Sequence, residues 1–438
     1  PVTVASIRQD ILKFSNDTLR PVDEDLDYAI FLAAKAFQLP SKTPMLHLND
    51  VFKQNDLNIW SSSPGLPWKE HGYKTKGDIR KDPDAIQSVR RFWHFVKTRK
   101  TRIGFPDCCA FVRSHVAEYG EQKVRAVWGF PATVTFGEAV FAVPLIRAYQ
   151  KIKSPFAYGY ETATGGTYRI RQEFAGNRRI RCNVALDFKS FDKHVPAWLI
   201  RIAFDILAMN IDFGTYQDYG VADTRAMHKM WSRLVDYFIN TPVRLCTGER
   251  FQKRCGVASG SYFTQLIDGI VNWILITWSC LRQECRLQKL IVLGDDSLFG
   301  TERPYDLGAA QKLFKSVGMK LNMQKSAISN RVDDLTFLGY QINYGAPTKP
   351  TDKWLAALLF PEEMDRSWDD VATRALGLLY ACSGMDDKFD GLCRTIVRLR
   401  PFNIQPGKSL SRMLEMIGVH DLDPEPPDKE WFWHRLRL

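Results

Sequence analysis

Residues 182–188, Cys-Asn-Val-Ala-Leu-Asp-Phe, place the apolar Cys182, Val184 and Leu186 at alternate positions, the two-residue period of one strand face. Asp187 then projects from the other face near the strand's end. From Leu290 to Phe299 two apolar runs flank Gly294-Asp295-Asp296-Ser297, which predicts a β-hairpin turning at the acidic residues. Between these segments the rhythm changes. Phe263, Ile267, Ile270, Ile274 and Trp278 fall at helical spacing and predict one apolar stripe, while Thr264, Asp268 and Asn272 share a different face of the same helix. A small-residue loop, Gly256 to Gly260, leads into that helix, and another helix is predicted to begin near Pro196. The middle of the chain, roughly 182–345, thus mixes short strands with longer helices and reads as α/β or α+β. Residues 1–60 read as a helical lead-in, 68–181 as a segment with Arg and Lys in bursts, and the tail from about 351 as helical.

Composition narrows the class. The 438 residues are 45% hydrophobic and 25% charged, as in ordinary globular chains. A net charge of +11 points to a polyanionic partner, nucleic acid first. The nine Cys lack the paired spacing of a zinc site and predict buried thiols. No secretory leader is expected, although Pro1 fits a processed chain or a fragment. The most apolar stretch, Leu266 to Leu281, is interrupted by Asp268 and Asn272, so no membrane span is expected.

Chemistry concentrates in the carboxylates. Asp187 and Asp192 form a D-x4-D pattern that alone reads equally as a surface loop and a helix cap. Adjacent carboxylates at the tip of a tight hairpin, Asp295 and Asp296, repel each other, and a divalent cation would remove that cost. Two Mg2+ ions, with Mn2+ as a substitute, would serve phosphoryl transfer, and such hard ions take carboxylate oxygens in preference to His or Cys. Gly407-Lys408-Ser409 imitates part of a phosphate-binding loop, but Phe402 stands where that motif needs Gly, so a plain loop is expected.

In order, D-x4-D (Asp187, Asp192), S-G-x3-T (Ser259, Gly260, Thr264) and G-D-D (Gly294 to Asp296) resemble the RNA-dependent RNA polymerases of positive-strand and double-stranded RNA viruses. The wording from Ser259 through Asp268 to Asn272 looks most like the partitivirus group, with picobirnaviruses next. The resemblance covers about residues 60–345 and implies a right-hand fold: an extension over 1–60, fingers over 61–186 with part of 205–255, a palm over 187–345 and a thumb over 346–438. It implies Asp187 and Asp295 as metal ligands with Asp296 in support. Lys123, Arg125 and Arg113 would grip the incoming nucleotide, and Lys325 would protonate the leaving pyrophosphate. Ser63, Pro64 and Gly65 resemble the loop through which the template enters, and Phe337, Leu338 and Gly339 the primer-grip hairpin. The partners implied are RNA template and product, NTPs and a viral capsid protein. The place implied is the virion interior in host cytoplasm.

One position departs from the family pattern. Many members carry Asn four residues after the motif Thr; here that residue is Asp268, and Asn272 follows one turn later. Ribose sensing is therefore expected from Asp192 with Asn272 or Thr264. Two other classes compete: a reverse transcriptase shares the metal logic, and a non-enzymatic RNA-binding protein would explain the charge but not the clustered carboxylates.

Overall fold

The computed structural model describes residues 2–438 except Ser114, Gln122, Tyr219, Asp421 and Pro424; Pro1 lies outside the described residues. At the centre stands the helix Thr264–Gln283. Every residue from Leu266 to Cys280 is buried, so the helix is enclosed all round and its apolar stripe marks only one of several contacts. The helices Glu24–Ala36 and Ala197–Ala208 and the strand Leu287–Leu293 pack against it.

Beside this helix lies a four-stranded antiparallel sheet, ordered Ala327–Ser329, Cys182–Ala185, Asp296–Thr301, Leu287–Leu293. Both faces are covered. Val184, Leu290, Val292 and Phe299 join the main core, while Ile291 and Leu298 face a smaller cluster with Ile170, Phe174 and Phe337. Burial on both faces explains why the hairpin strands read as continuous apolar runs.

A second four-stranded sheet belongs to the basic part of the chain: Arg125–Gly129, Cys108–Arg113, Pro242–Arg244, Arg250–Gln252. Residues 242–252 thus return from the middle of the sequence to complete it. The lead-in is no separate unit: Ile11, Phe14, Leu26 and Phe37 share the main core with Val184 and Ile274. The tail forms its own core around Trp354, Leu379, Phe389 and Phe432. There Gly407-Lys408-Ser409, expected as a loop, instead opens the helix Lys408–Met416, with Gly407 extended before its first turn. No disulfide forms among the described residues, most thiols are buried, and no helix there is long and apolar enough to cross a membrane.

Candidate active site

The strand Cys182–Ala185 pairs with Asp296–Thr301 through Phe299↔Val184, Gly300↔Asn183 and Thr301↔Cys182. Carried onward, that register sets Asp187, just past its strand, across from Asp296 at the hairpin tip. The backbone of Asp187 is pinned on its other side. Its N–H donates to Ser326 Oγ at 2.9 Å, and its carbonyl accepts from Asn322 N at 2.7 Å. Lys325 rides on this same turn, whose backbone N–H is held by Asn322 Oδ1 at 3.2 Å.

Asp187, Asp192 and Asp295 line one cleft of about 550 Å3, facing Lys123, Arg125 and Lys325. Burial raises Asp187, Asp192 and Asp295 there, and Asp296 at the hairpin tip. Asp187 is raised by burial and by Asp295, against the opposing charge of Lys325. Asp295 is raised by burial against the pull of Arg125. Asp296 is pushed up to about 6 by burial and then by Asp295 and Asp187. The proximity of these charges is what a bound cation would relieve. No three His, Cys, Asp or Glu side chains among the described residues stand close enough to enclose an ion alone.

Behind the cleft, Asp192 hydrogen-bonds to Asp268. Two carboxyls can bond only if one keeps its proton. Asp268, buried, is raised well above the ordinary range by burial and by Asp192. Asn272 is wholly buried elsewhere: its amide donates to Gly294 O at 3.4 Å and Asp296 O at 3.3 Å, bracing the acidic turn. Thr264 donates to Ala258 O at 2.6 Å, closing the loop onto its helix. Neither is among the residues that line the cleft.

On the opposite wall, Arg125 begins the strand Arg125–Gly129 and forms no ion pair among the described residues. Asp10 accepts from Ala126 N at 3.0 Å and ion-pairs with Lys193, tying this strand to the lead-in helix. Lys123 lies 3.9 Å from Glu121 at an exposed pair. Arg113 is otherwise engaged: its guanidinium meets Glu362 at 2.8 to 3.2 Å, joining the basic sheet to the tail. Arg113 nonetheless lines the same cleft as Lys123 and Arg125.

Ser259 reaches the cleft, and Gly260 lies against the same strand: a Cβ on it would stand 1.8 Å from Trp128 O. Buried Lys253 supports the loop from below through Ile239 O at 2.9 Å and Gly256 O at 2.7 Å. Ser63, Pro64 and Gly65 sit beside the strand's end. Ala132 N donates to Pro64 O at 2.7 Å, Lys76 Nζ donates to Ser63 O at 2.7 Å, and Gly65 has φ +65. Phe337 and Tyr340 pair across a tight turn in which Leu338 and Gly339 both have positive φ, the mirror-image turn that suits a hairpin.

Glu138 was invisible to motif reading. It is buried in the helix Ala132–Lys151, accepts hydrogen bonds from Ser261 Oγ and Tyr262 N, and is pushed up to about 8 by burial. Its ordinary value is 4.5, so between the two the folded protein holds a proton the unfolded chain lacks. Stability therefore falls as pH rises through that window. Glu138→Gln keeps an acceptor for Tyr262 N without the charge. Its melting temperature should match the parent near about pH 5 and exceed it above about pH 8. A variant that melts lower throughout would show that the ionised carboxylate is needed.

The family model described as viral RNA-dependent RNA polymerase matches residues 2–383. The chain belongs to that family. Among polymerases of the family, the RNA-directed RNA polymerase of Cryptosporidium parvum virus 1 (strain KSU-1) is 28% identical over 383 residues, 81% of this chain and 69% of the relative. That of Atkinsonella hypoxylon virus (isolate 2H) is 24% identical over 332 residues, 65% of this chain and 49% of the relative, so the chain spans about half of that protein's length. The crystal structure of the RNA-dependent RNA polymerase of a human picobirnavirus superposes with TM-score 0.68 at 18% identity, over 90% of this chain and 74% of that one. The α+β right-hand polymerase class expected from the ordered motifs is the class observed.

Proposed function

We propose that this chain copies an RNA template by joining NTPs to an RNA 3′ end through two-metal phosphoryl transfer. The observation that carries the reading is the meeting of Asp187 and Asp295, from separate strands, in one cleft opposite Arg125. Mg2+ ions, with Mn2+ as a substitute, would be held by Asp187 and Asp295 with Asp296 in support; when bound they supply a lowered 3′-hydroxyl pKa and neutralise the triphosphate. Arg125 and Lys123 hold the triphosphate, Arg125 by its planar fork. Lys325 gives its proton to the departing pyrophosphate. Ribose recognition falls to Asp192, with Asp268 behind it holding its orientation.

Ser63, Pro64 and Gly65 guide the template, Phe337 to Gly339 support the primer end, and duplex product is gripped through its backbone, so affinity should fall as salt rises. The fingers comprise 61–186 with part of 205–255, the palm 187–345 joined by the strand Cys182–Ala185, the thumb 346–438, and 1–60 buttresses the core. The biological task is viral genome replication and transcription, inside the virion and in host cytoplasm, with the capsid protein as a partner.

The test is RNA-templated extension by the full chain, with and without primer, supplied with rNTPs or dNTPs. Mg2+-dependent incorporation of rNTPs is expected; preference for dNTPs, or no incorporation with any divalent ion, overturns the reading. Lys325→Met should lower kcat by about 10²-fold or more with little change in KM, the range for loss of a general acid. An unchanged kcat would remove Lys325 from the reaction. Asp192→Ala should narrow the rNTP-over-dNTP preference more than it weakens Mg2+ dependence. Equal loss with both nucleotide types would count against ribose sensing.

A further inference from the structure

A second cavity, of about 280 Å3, shares no lining residue with the acidic cleft. Arg90, His94 and Lys97 reach it from one face of the helix Pro83–Thr98, spaced by four and three residues, and Arg91 flanks them. Tyr216 and His47 wall the other side, their rings edge to face at 4.8 Å. No acidic side chain lines the cavity. The neighbouring carboxylates lie outside it: Asp50 sits 3.4 Å from Lys53, and Asp223 acts on Lys97 from its own helix cap.

This charge has no ion-pair partner within the cavity. Arg91, His94 and Lys97 form no ion pair among the described residues, and the Arg90 guanidinium reaches the neutral Gln87 at 3.4 Å. Burial draws the Lys97 ammonium below its ordinary value. Like charges one turn apart weaken a helix, and the helix C-terminus favours only Lys97 in the last turn. Arg90, Arg91 and His94 are exposed and Lys97 half-buried, and all four line one concavity whose other wall is aromatic.

We propose that this cavity binds the 5′-phosphorylated end of an RNA strand, the polyphosphate among Arg90, Arg91 and Lys97 and the terminal base against Tyr216 and His47. A backbone presents one charge per phosphate along a line and would suit a groove. A terminal polyphosphate concentrates several charges at a point, which suits convergent arginines, and a base gives the aromatic rings a stacking surface. The site stands beside the polymerisation reaction rather than within it, since it holds the end of a strand that does not react.

The experiment measures binding of the full chain to a short 3′-labelled RNA carrying either a 5′-triphosphate or a 5′-hydroxyl. The triphosphate strand should bind about tenfold more tightly, and Arg90→Gln/Arg91→Gln should abolish that difference while primed extension continues. Lys97→Met should narrow the same difference, checking the inner wall separately. Equal binding of the two strands by the parent, or an undiminished difference in both variants, overturns the proposal. Displacement of the triphosphate strand by free NTP at equal concentration also overturns it, because the ligand would then be the nucleotide and not a strand end.

Discussion

Asp295→Asn should reduce nucleotide incorporation on the order of 10⁴-fold, the scale on which groups that stabilise charge in phosphoryl transfer are felt. The amide keeps the size of the side chain but cannot carry the charge that holds a divalent ion. The same change should not harm the fold. Asp295 lies in a place where burial already opposes its ionisation, and its charge raises Asp187 and Asp296 in turn. Removing it relieves repulsion, so the metal-free variant should melt no lower than the parent. Saturating Mg2+ should then raise the parent's melting temperature, by up to about 2.7 kcal/mol of linkage at a hundredfold excess over Kd, and leave the variant nearly unmoved. Incorporation within about tenfold of the parent would end the two-metal assignment.

Gly260→Ala has the second large effect, for a steric reason. The added Cβ would lie 1.8 Å from Trp128 O, 3.0 Å from Trp128 C and 3.1 Å from Phe130 Cδ1. The first two are backbone atoms of Trp128, the buried residue of its strand, so no flexible side chain can yield. Overpacking of this kind costs about 1–3 kcal/mol, and relief requires the loop to lift from the strand that carries Arg125. Ser259 moves with it, and a displacement of about 1 Å in a reacting site costs on the order of 10²-fold in rate. Gly260→Ala should therefore lower both the melting temperature and kcat/KM. A neutral substitution would mean that loop and strand are less tightly apposed than the close approach implies.

Gly260 also shows where sequence reading stops. Its place in S-G-x3-T marks it by resemblance, but the reason for glycine is a carbonyl more than a hundred residues earlier, which no local pattern reveals. Asn272 and Thr264 show the converse. Their helical spacing with Asp268 put them on one polar face, yet the helix is enclosed all round, so each polar group meets a different neighbour. Asn272 meets the hairpin's carbonyls, Thr264 its own loop, and Asp268 the acid that faces the cleft. Arg113 carries the same lesson in charge: a free cation on a strand is indistinguishable in sequence from one held by Glu362.

By itself the sequence determined the local elements of the centre and singled out the carboxylates proposed to hold metal. Strand and helix periods follow from which faces are buried, and Asp-Asp at a hairpin tip is a cost that needs a cation to explain it. Only the tertiary structure decided which partners those residues found. Glu138 beneath the Ser261 loop, Lys253 under Gly256, Asp10 on Ala126 and the convergent cations around Tyr216 all join segments far apart in the chain. Burial and hydrogen bonding between distant segments depend on how whole layers pack, and the periodicity of any one segment does not carry that information.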